Sequence, residues 1–211
     1  SYTIIYLSGV KSVIRYRDLV KEHLLKGMAE GSLSAGDFLS LAQIARDLGI
    51  SVTPIREALT QLEQAQIVCS VPNRGFQIPT LNSREIPQLY PIVAALEGLA
   101  MEQTAYGSVI LHQLREKQKA FVQSRTPIER IQSDMNFHDA LTQYCGNDTV
   151  LQILDDLKVR IFFYELDFMR KNGFDTTSEA QHEAIIAHLE QQEIDKAIAV
   201  VKENWLQILN T

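Results

Sequence analysis

The stretch that decides the fold is "LAQIARDLGISVTPIREALTQL", residues 41–62, which reads as two short helices joined by a tight turn. Ala45 supplies the small side chain needed where the second helix crosses the first, and Gly49 tolerates the positive φ of the turn. Thr53 is placed to cap the second helix, with Pro54 at its first position, where a missing N–H does no harm. Apolar residues close the joint from both sides: Ile44, Leu48, Ile50, Ile55 and Ala58. The pattern predicts a helix-turn-helix, with an ordinary helical hairpin in a core as the alternative.

The segment that follows, "IVCSVPNRGFQIPTL" (residues 67–81), changes its period from helix to strand. β-Branched residues flank Pro72-Asn73-Arg74-Gly75, which is the signature of a β-hairpin. A helix-turn-helix followed at once by a basic-tipped hairpin is typical of a winged helix. In that fold the second helix enters the DNA major groove, and the tip at residues 73–75 reaches sugar-phosphate or the minor groove.

The remaining residues are predicted to be helical. Apolar residues recur at helical spacing over residues 12–30, and Gly31 ends that helix. From residue 86 onward the sequence predicts about six helices and no strand, with breaks near Gly107, residues 126–127, 146–147, 173–178 and 191–194. The expected fold class is therefore mainly α: an N-terminal winged helix-turn-helix with a small β-hairpin wing, and a C-terminal all-α helical bundle.

The expected domains are a DNA-binding domain over residues 1–80, a polar linker at 81–85 and a helical domain over 86–211. Residues 1–11 are an unplaced arm, which could form an added strand, a dimer arm or a disordered segment. Residues 1–80 contain 8 basic and 7 acidic residues, whereas the rest of the chain contains 12 basic and 19 acidic residues. This difference in charge suggests that the two parts have different functions.

The composition indicates an ordinary globular protein, with 45% hydrophobic and 22% charged residues among 211. The start of the chain lacks the basic-then-apolar order of a signal peptide. Cys69 and Cys145 are isolated, without metal or redox spacing, and are expected to be reduced. We therefore expect a cytoplasmic protein without a membrane span.

A second pattern lies in "SDMNFHDALTQYCGN", residues 133–147, where Asp134 and His138 are four apart and share one helix face. Met135, Phe137, Ala140, Leu141 and Tyr144 supply apolar cover around them. Alone, such a pair is more typical of a surface ion pair or a hydrogen-bonded core histidine. Two later residues favour a different interpretation. His182 lies at the edge of an apolar face, and Asn204 lies between apolar residues of the last helix. A shared internal site is therefore the alternative.

The N-terminal part resembles the winged-helix domain of GntR-family transcription regulators. The block "GIS-TPIREAL-QLE" and the wing "PNRGF" carry the resemblance, which covers most of residues 12–80. It implies a homodimer on a palindromic double-stranded DNA operator, contacted by Thr53, Arg56, Arg74 and Gly75. The family often has a Glu-Arg pair at the start of the first helix and a basic residue before the Thr-Pro. This chain has Leu41-Ala42 and Val52 there, so two expected contacts are missing.

The helical part resembles the FCD ligand-binding domain of FadR-type members of that family, from about residue 86 to 209. The resemblance rests on "LEGLA", "DMNFHDAL", the Gly-Asn at 146, "HEAII" and the last helix. It implies a divalent metal, zinc, nickel or manganese, bound by Asp134, His138 and His182. The fourth ligand, usually His, is Asn204 here, and an amide oxygen is weaker than an imidazole. A remnant site without metal is the alternative.

The same resemblance implies a small effector that carries a carboxylate. Arg160, on the helix predicted over residues 148–171, matches a pocket-facing arginine of relatives, although a solvated arginine is equally compatible with its position. A second family arginine is replaced by Val93. The expected function is therefore effector-controlled DNA binding and not catalysis. The alternatives are a sensor module with lost or weakened DNA binding and a helical metalloenzyme, for which His-Glu-x-x-His and nucleophile-elbow motifs are missing.

Overall fold

The computed structural model describes residues 2–7, 10–80, 82–172 and 177–210. The chain forms two compact units, Ser1–Leu81 and Asn82–Thr211.

The first unit contains a helix-turn-helix with a hairpin wing, preceded by another hairpin and a helix. Its elements are β1 (Tyr2–Leu7), β2 (Val10–Arg15), α1 (Tyr16–Glu30), α2 (Leu41–Leu48), α3 (Val52–Gln64), β3 (Cys69–Val71) and β4 (Gly75–Gln77). The strands pair antiparallel, β1 with β2 and β3 with β4. The core of the unit lies between α1, α2, α3 and the wing, and includes Val20, Leu24, Ile44, Ile55, Leu59, Leu62, Ile67 and Ile78.

The joint between α2 and α3 follows from local chemistry. The Ser40 hydroxyl accepts a hydrogen bond from the Gln43 N–H and so caps the start of α2. Gly49 ends that helix in the left-handed region at φ 68°, and the Ile50 N–H returns to the Ala45 carbonyl. The predicted helix-turn-helix is confirmed. The predicted cap at Thr53 is wrong, because α3 begins at Val52 after Ser51. Pro54 is still tolerated, because N–H groups in the first helical turn have no intrahelical partner.

For the N-terminal hairpin, an added strand is only one of three alternatives that the sequence leaves open for residues 1–11. Residues 12–15 belong to β2 and not to the helix expected from residue 12, which starts at Tyr16. Of the three alternatives for residues 1–11, residues 2–7 and 10–11 adopt strands. Residues 1, 8 and 9 lie outside the described residues.

The second unit is a bundle, and six α-helices are found among its described residues, as the sequence predicts. They are α4 (Ile86–Glu102), α5 (Ser108–Val122), α6 (Pro127–Thr142), α7 (Asp148–Asn172), α8 (Thr177–Glu190) and α9 (Ile194–Leu206). α4 packs against α7 and α9, α5 against α6 and α8, and α8 against α9. Tyr90, Met101, Leu114, Phe121, Phe137, Leu141, Ile185 and Val201 are among the buried core residues.

Candidate functional site

The face of α3 opposite the core carries the predicted DNA contacts. Ile55, Ala58, Leu59 and Leu62 are buried against the unit, whereas Thr53 and Arg56 are exposed. Both lie in the first turns of the helix, the part of a recognition helix that contacts base edges. The helix therefore presents a hydroxyl and a guanidinium at its exposed surface.

The wing presents Arg74 at an exposed tip. The Arg74 N–H bonds to the Val71 carbonyl, and Pro72 followed by Asn73 at φ 61° is the pattern of a type II turn. Gly75 follows at φ 94°, a conformation that favours glycine. The Arg74 guanidinium lies 4.0 Å from the centre of the Phe38 ring, so the side chain is partly held in place.

The positions where the chain departs from the family pattern are at the surface. Val52 is 41% exposed and Ala42 is exposed, at the beginnings of α3 and α2. Neither side chain can donate a hydrogen bond to a phosphate or a base. The cationic part of this surface therefore rests on fewer residues than the family pattern provides.

In the bundle, the predicted ligands come from α6, α8 and α9. Thr126 and Glu129 form a capping box that starts α6, with Pro127 in its first turn. The start of α6 at this point places Asp134 and His138 on one face, where His138 is buried and the Asp134 side chain is 22% exposed. The expected apolar cover is only partly present. Phe137, Ala140 and Leu141 are buried, Met135 is half-buried, and Tyr144, which follows the end of α6, is 50% exposed.

The four predicted ligand groups lie close together. Asp134, His138 and His182 each offer an atom within 4.8 Å of the others. His182 Nε2 is 3.3 Å from Asp134 Oδ1, and His138 Nε2 is 3.9 Å from Asp134 Oδ2. Asn204 Oδ1 is 3.1 Å from His138 Nε2. Both imidazoles thus direct Nε2 toward one carboxylate.

The other nitrogen of each imidazole is held by a buried partner. His138 Nδ1 lies 2.7 Å from Glu97 Oε2, and His182 Nδ1 lies 3.0 Å from Gln118 Oε1. An acceptor at Nδ1 takes the Nδ1–H and leaves Nε2 as the nitrogen that can bind a metal, and histidine metal ligands are held in the same way. The sequence indicates the candidate ligands but not these two partners.

Aromatic rings fix the histidine planes. Phe137 stacks on His182 with centroids 3.9 Å apart and planes 13° apart, and Phe121 approaches the same ring at 4.7 Å. Trp205 lies 4.6 Å from the His138 ring. Such packing leaves each imidazole little freedom to rotate, which lowers the entropic cost of binding an ion.

The electrostatics of the cluster follow from burial and charge. Burial disfavours the charged imidazole of both His138 and His182. It lowers the pKa of His182, although the carboxylate of Asp134 acts to raise it. At His138 the Glu97 carboxylate outweighs burial, and the pKa is raised. Burial alone would raise the pKa of Glu97, but His138 and Lys158 lower it to about 2. For Asp134, the histidines likewise outweigh burial and lower the pKa.

The donor set fits a divalent metal. Within the described part of the chain, His182 Nε2 is buried and has no hydrogen-bond partner. Ligands about 2.1 Å from a tetrahedral ion are about 3.4 Å apart. The distance of 3.3 Å between His182 Nε2 and Asp134 Oδ1 is near that value, and the three ligand atoms all lie within 4.8 Å of one another. A carboxylate and two imidazoles suit zinc, nickel or manganese.

Asn204 is oriented by its own hydrogen bonds. Its Nδ2 donates to Gln181 Oε1 at 2.7 Å and to Ser178 Oγ at 3.4 Å. Because the amide nitrogen points to these acceptors, Oδ1 is the atom turned toward His138. The oxygen, and not the nitrogen, is thereby offered to the cluster.

Arg160 lies elsewhere on α7 and is engaged. Its Nη2 is 2.8 Å from Glu85 Oε2, and the Tyr164 hydroxyl donates to the same oxygen at 3.0 Å. Tyr164 also donates to the Asn82 carbonyl at 3.1 Å. The guanidinium therefore anchors residues near the start of the bundle in this structure, and its predicted effector contact stays a prediction. Val93 is fully buried.

These two units together define a class, that of bacterial regulators that join a winged helix to a helical sensor bundle. Comparison with known families agrees. The family of bacterial regulatory proteins called gntR matches residues 17–78, and the FCD domain matches residues 88–205. The chain belongs to the GntR family and carries a C-terminal FCD domain.

Individual relatives support the same assignment. YdhC of Bacillus subtilis, described as an uncharacterized HTH-type transcriptional regulator, is 27% identical over 146 residues, which are 66% of this chain and 65% of YdhC. A solved structure of Escherichia coli McbR/YncC superposes with a TM-score of 0.78 at 20% identity, over 93% of this chain and 96% of that one. A GntR regulator from a Rhodococcus species gives 0.74 at 18% identity, over 92% and 98%. The two structures show a shared fold.

The chain spans less than two thirds of the length of YdhC. Among the described residues, the helices are too short or too polar to cross a membrane.

Proposed function

We propose that this protein is a DNA-binding transcription regulator whose operator binding responds to a small molecule. Residues 1–80 bind DNA, residues 81–85 form the linker between the two domains, and residues 86–211 bind the effector. One observation supports this most: a helix-turn-helix exposes a guanidinium in one unit, while the other unit brings together Asp134 and two buried histidines as candidate ligands. The protein acts in the cytoplasm, where the operator is.

For the DNA-binding part, we assign base contacts to Thr53 and Arg56 on α3. Arg74 and Gly75 at the wing tip contact the sugar-phosphate backbone or the minor groove. A homodimer places two such units on a palindromic operator, since half-site symmetry mirrors the two-fold symmetry of the protein.

For the bundle, we assign the metal to Asp134, His138 and His182, with Asn204 as a weaker fourth ligand. A bound divalent ion would neutralise the carboxylate and supply an electrophilic site for a ligand oxygen. The residues of this chain do the rest: Glu97 and Gln118 hold the imidazoles, and Gln181 turns the Asn204 oxygen inward. The neutral oxygen leaves more positive charge on the ion than a carboxylate would, which suits an anionic ligand.

The effector we propose is a small carboxylate-bearing molecule. Its carboxylate would bind at the ion, and Arg160 would supply a second contact if the effector displaced Glu85 from it. Effector binding would change the spacing of the two winged helices in the dimer and so the affinity for the operator. Because members of this family are regulators, the cluster is assigned to sensing and not to turnover.

The test begins with operators selected from random DNA by the purified protein. Operator affinity is then measured by fluorescence anisotropy with zinc, with a chelator, and with zinc plus each of a panel of small carboxylates. The proposal expects a palindromic operator and at least one carboxylate that changes affinity only when metal is present. If the protein selects a palindrome but its operator affinity changes with neither metal nor carboxylates, the sensing part of the proposal is wrong.

A second candidate function is a sensor module without DNA binding. The exposed Val52, where the family usually has a basic residue, favours it. The same selection decides between the two. If no DNA is enriched while metal still binds, the sensor module is the correct reading.

A further inference from the structure

We infer that Lys158 is a positioning residue for the metal site and acts through Glu97, an inference that rests on the proposed metal function. Lys158 lies on α7 and is 6% exposed. Its Nζ is 2.7 Å from Glu97 Oε1 and 2.8 Å from Asp139 Oδ1. The lysine does not reach the ligand cluster itself.

The Glu97 carboxylate is the common point of four helices. It projects from α4 and is fully buried. Its Oε2 accepts hydrogen bonds from His138 Nδ1 of α6 at 2.7 Å and from Trp205 Nε1 of α9 at 2.6 Å. Its Oε1 forms an ion pair with the ammonium of Lys158 from α7, and within the described part of the chain it has no hydrogen-bond partner. One oxygen is therefore held by two hydrogen bonds, and the other is balanced by the charge of Lys158.

This arrangement determines what His138 can offer. The imidazole is bound to Glu97 through Nδ1, so Nε2 faces Asp134 and Asn204. If Glu97 Oε1 lost the ammonium, a buried carboxylate would be left without its ion-pair partner, which is costly. The carboxylate could relieve that cost by turning toward other groups, and His138 would turn with it. Asp139, whose side chain is 62% exposed, holds the outer side of Lys158.

Two effects of removing Lys158 have opposite signs. Loss of a nearby positive charge would by itself tighten the binding of a cation. Loss of the positioned carboxylate would weaken it, because partners that orient a metal-binding histidine contribute strongly to affinity. A positioning role therefore predicts weaker metal binding despite the more favourable charge. Weaker metal binding without Lys158 therefore indicates a positioning role, whereas tighter binding indicates that only its charge matters.

The experiment measures the affinity of the full chain for zinc alone, by competition with a chromophoric chelator. Lys158→Met keeps most of the length of the side chain and removes its charge, and we expect about a tenfold loss of affinity. The matched control is Lys196→Met on α9, because that lysine is 63% exposed and pairs with Glu193 at the surface. Wild-type affinity in the control and a loss in Lys158→Met support the inference.

Two further measurements keep the test decisive. Nitrogen NMR of the zinc-loaded protein should show a single Nδ1–H tautomer of His138 in the wild type and a mixture in Lys158→Met, which a purely structural defect would not produce. If Lys158→Met does not fold, Asp139→Asn replaces it, since it weakens the outer support of Lys158 and leaves the buried pair intact. A smaller loss of zinc affinity, about two- to fivefold, is then expected.

Unchanged or tighter zinc binding in Lys158→Met, or in Asp139→Asn if that variant has to replace it, overturns the inference. A wild-type protein that binds no zinc refutes the metal site itself. The two failures are distinct, because only the second appears in the wild type.

Discussion

Removing the proposed metal should lower the thermal stability of the protein, and replacing His182 should abolish that effect. His182 is fully buried, its Nε2 has no hydrogen-bond partner among the described residues, and Asp134 lies 3.3 Å away. An ion that binds only the folded protein stabilises it by mass action. In His182→Ala one of the three strong ligands is lost, so chelator and metal should make no difference.

The size of the effect follows from linkage. At a free metal concentration one hundred times Kd, the folded state gains about 2.7 kcal/mol. For a bundle of the size of residues 82–211, each kcal/mol shifts Tm by roughly 3–5 °C. The wild type should therefore melt about 8–13 °C lower in chelator than in excess zinc. His182→Ala also leaves a cavity, so its absolute Tm falls, and the informative quantity is the difference between the two conditions.

The assay is thermal unfolding followed by circular dichroism, paired with metal analysis of the purified protein, which should hold close to one divalent ion per chain. His112→Ala is the control, because His112 is an exposed histidine of α5. It should keep the full difference. If the wild type is indifferent to chelator and carries no metal, the cluster is a remnant and the reasoning from its geometry is refuted.

The other predictions concern the DNA contacts, the arginine on α7 and the weak ligand. Arg56→Ala should cost roughly 1–3 kcal/mol of operator affinity by anisotropy, because Arg56 is exposed on the first turns of α3, and unchanged affinity would contradict the groove assignment. Arg74→Ala should weaken binding to all sequences alike and reduce the salt slope by about one, and a loss confined to one base pair would argue against a backbone contact. Arg160→Met should abolish the response to a carboxylate effector while Glu85→Gln keeps it; equal effects of both would mean that the pair only anchors the chain. Asn204→His should tighten zinc binding and raise Tm in excess zinc, because imidazole binds zinc better than an amide oxygen does, and a lower Tm in excess zinc would count against its place in the ligand set.

Much of the fold could be predicted because it rests on local chemistry. Gly49 at a positive φ and Pro72-Asn73 at the wing each require a particular residue type, so the sequence marks the turns directly. The breaks in the bundle are marked by the same signals, such as the capping box at Thr126. Residues 12–15 of the first hairpin are assigned to the helix by the sequence pattern because they run directly into α1, and the apolar spacing of the helix extends back over them.

The partners around the ligands could not be predicted, because they depend on contacts between distant parts of the chain. Glu97 and Lys158 are 61 positions apart, and no local pattern links them. The one available signal was Glu97 itself, an acid within the apolar run "IVAALEGLAM" at residues 92–101. A buried acid there needs donors from other helices, but the sequence does not say which. The position of Arg160 beside Glu85 is hidden for the same reason.

The distribution of buried polar groups bears on why the cluster exists. Nine polar or charged residues are buried in the described part of the chain, and six of them belong to the cluster or hold its members: Glu97, Gln118, His138, Lys158, His182 and Asn204. Replacing a buried ion pair with apolar residues of similar volume often stabilises a protein by about 1–4 kcal/mol. Folding alone would therefore favour an apolar centre for this bundle. The network is better explained by a ligand. A divalent ion would bind the lone pair of His182 and would offset the charge of Asp134, and an apolar core can do neither.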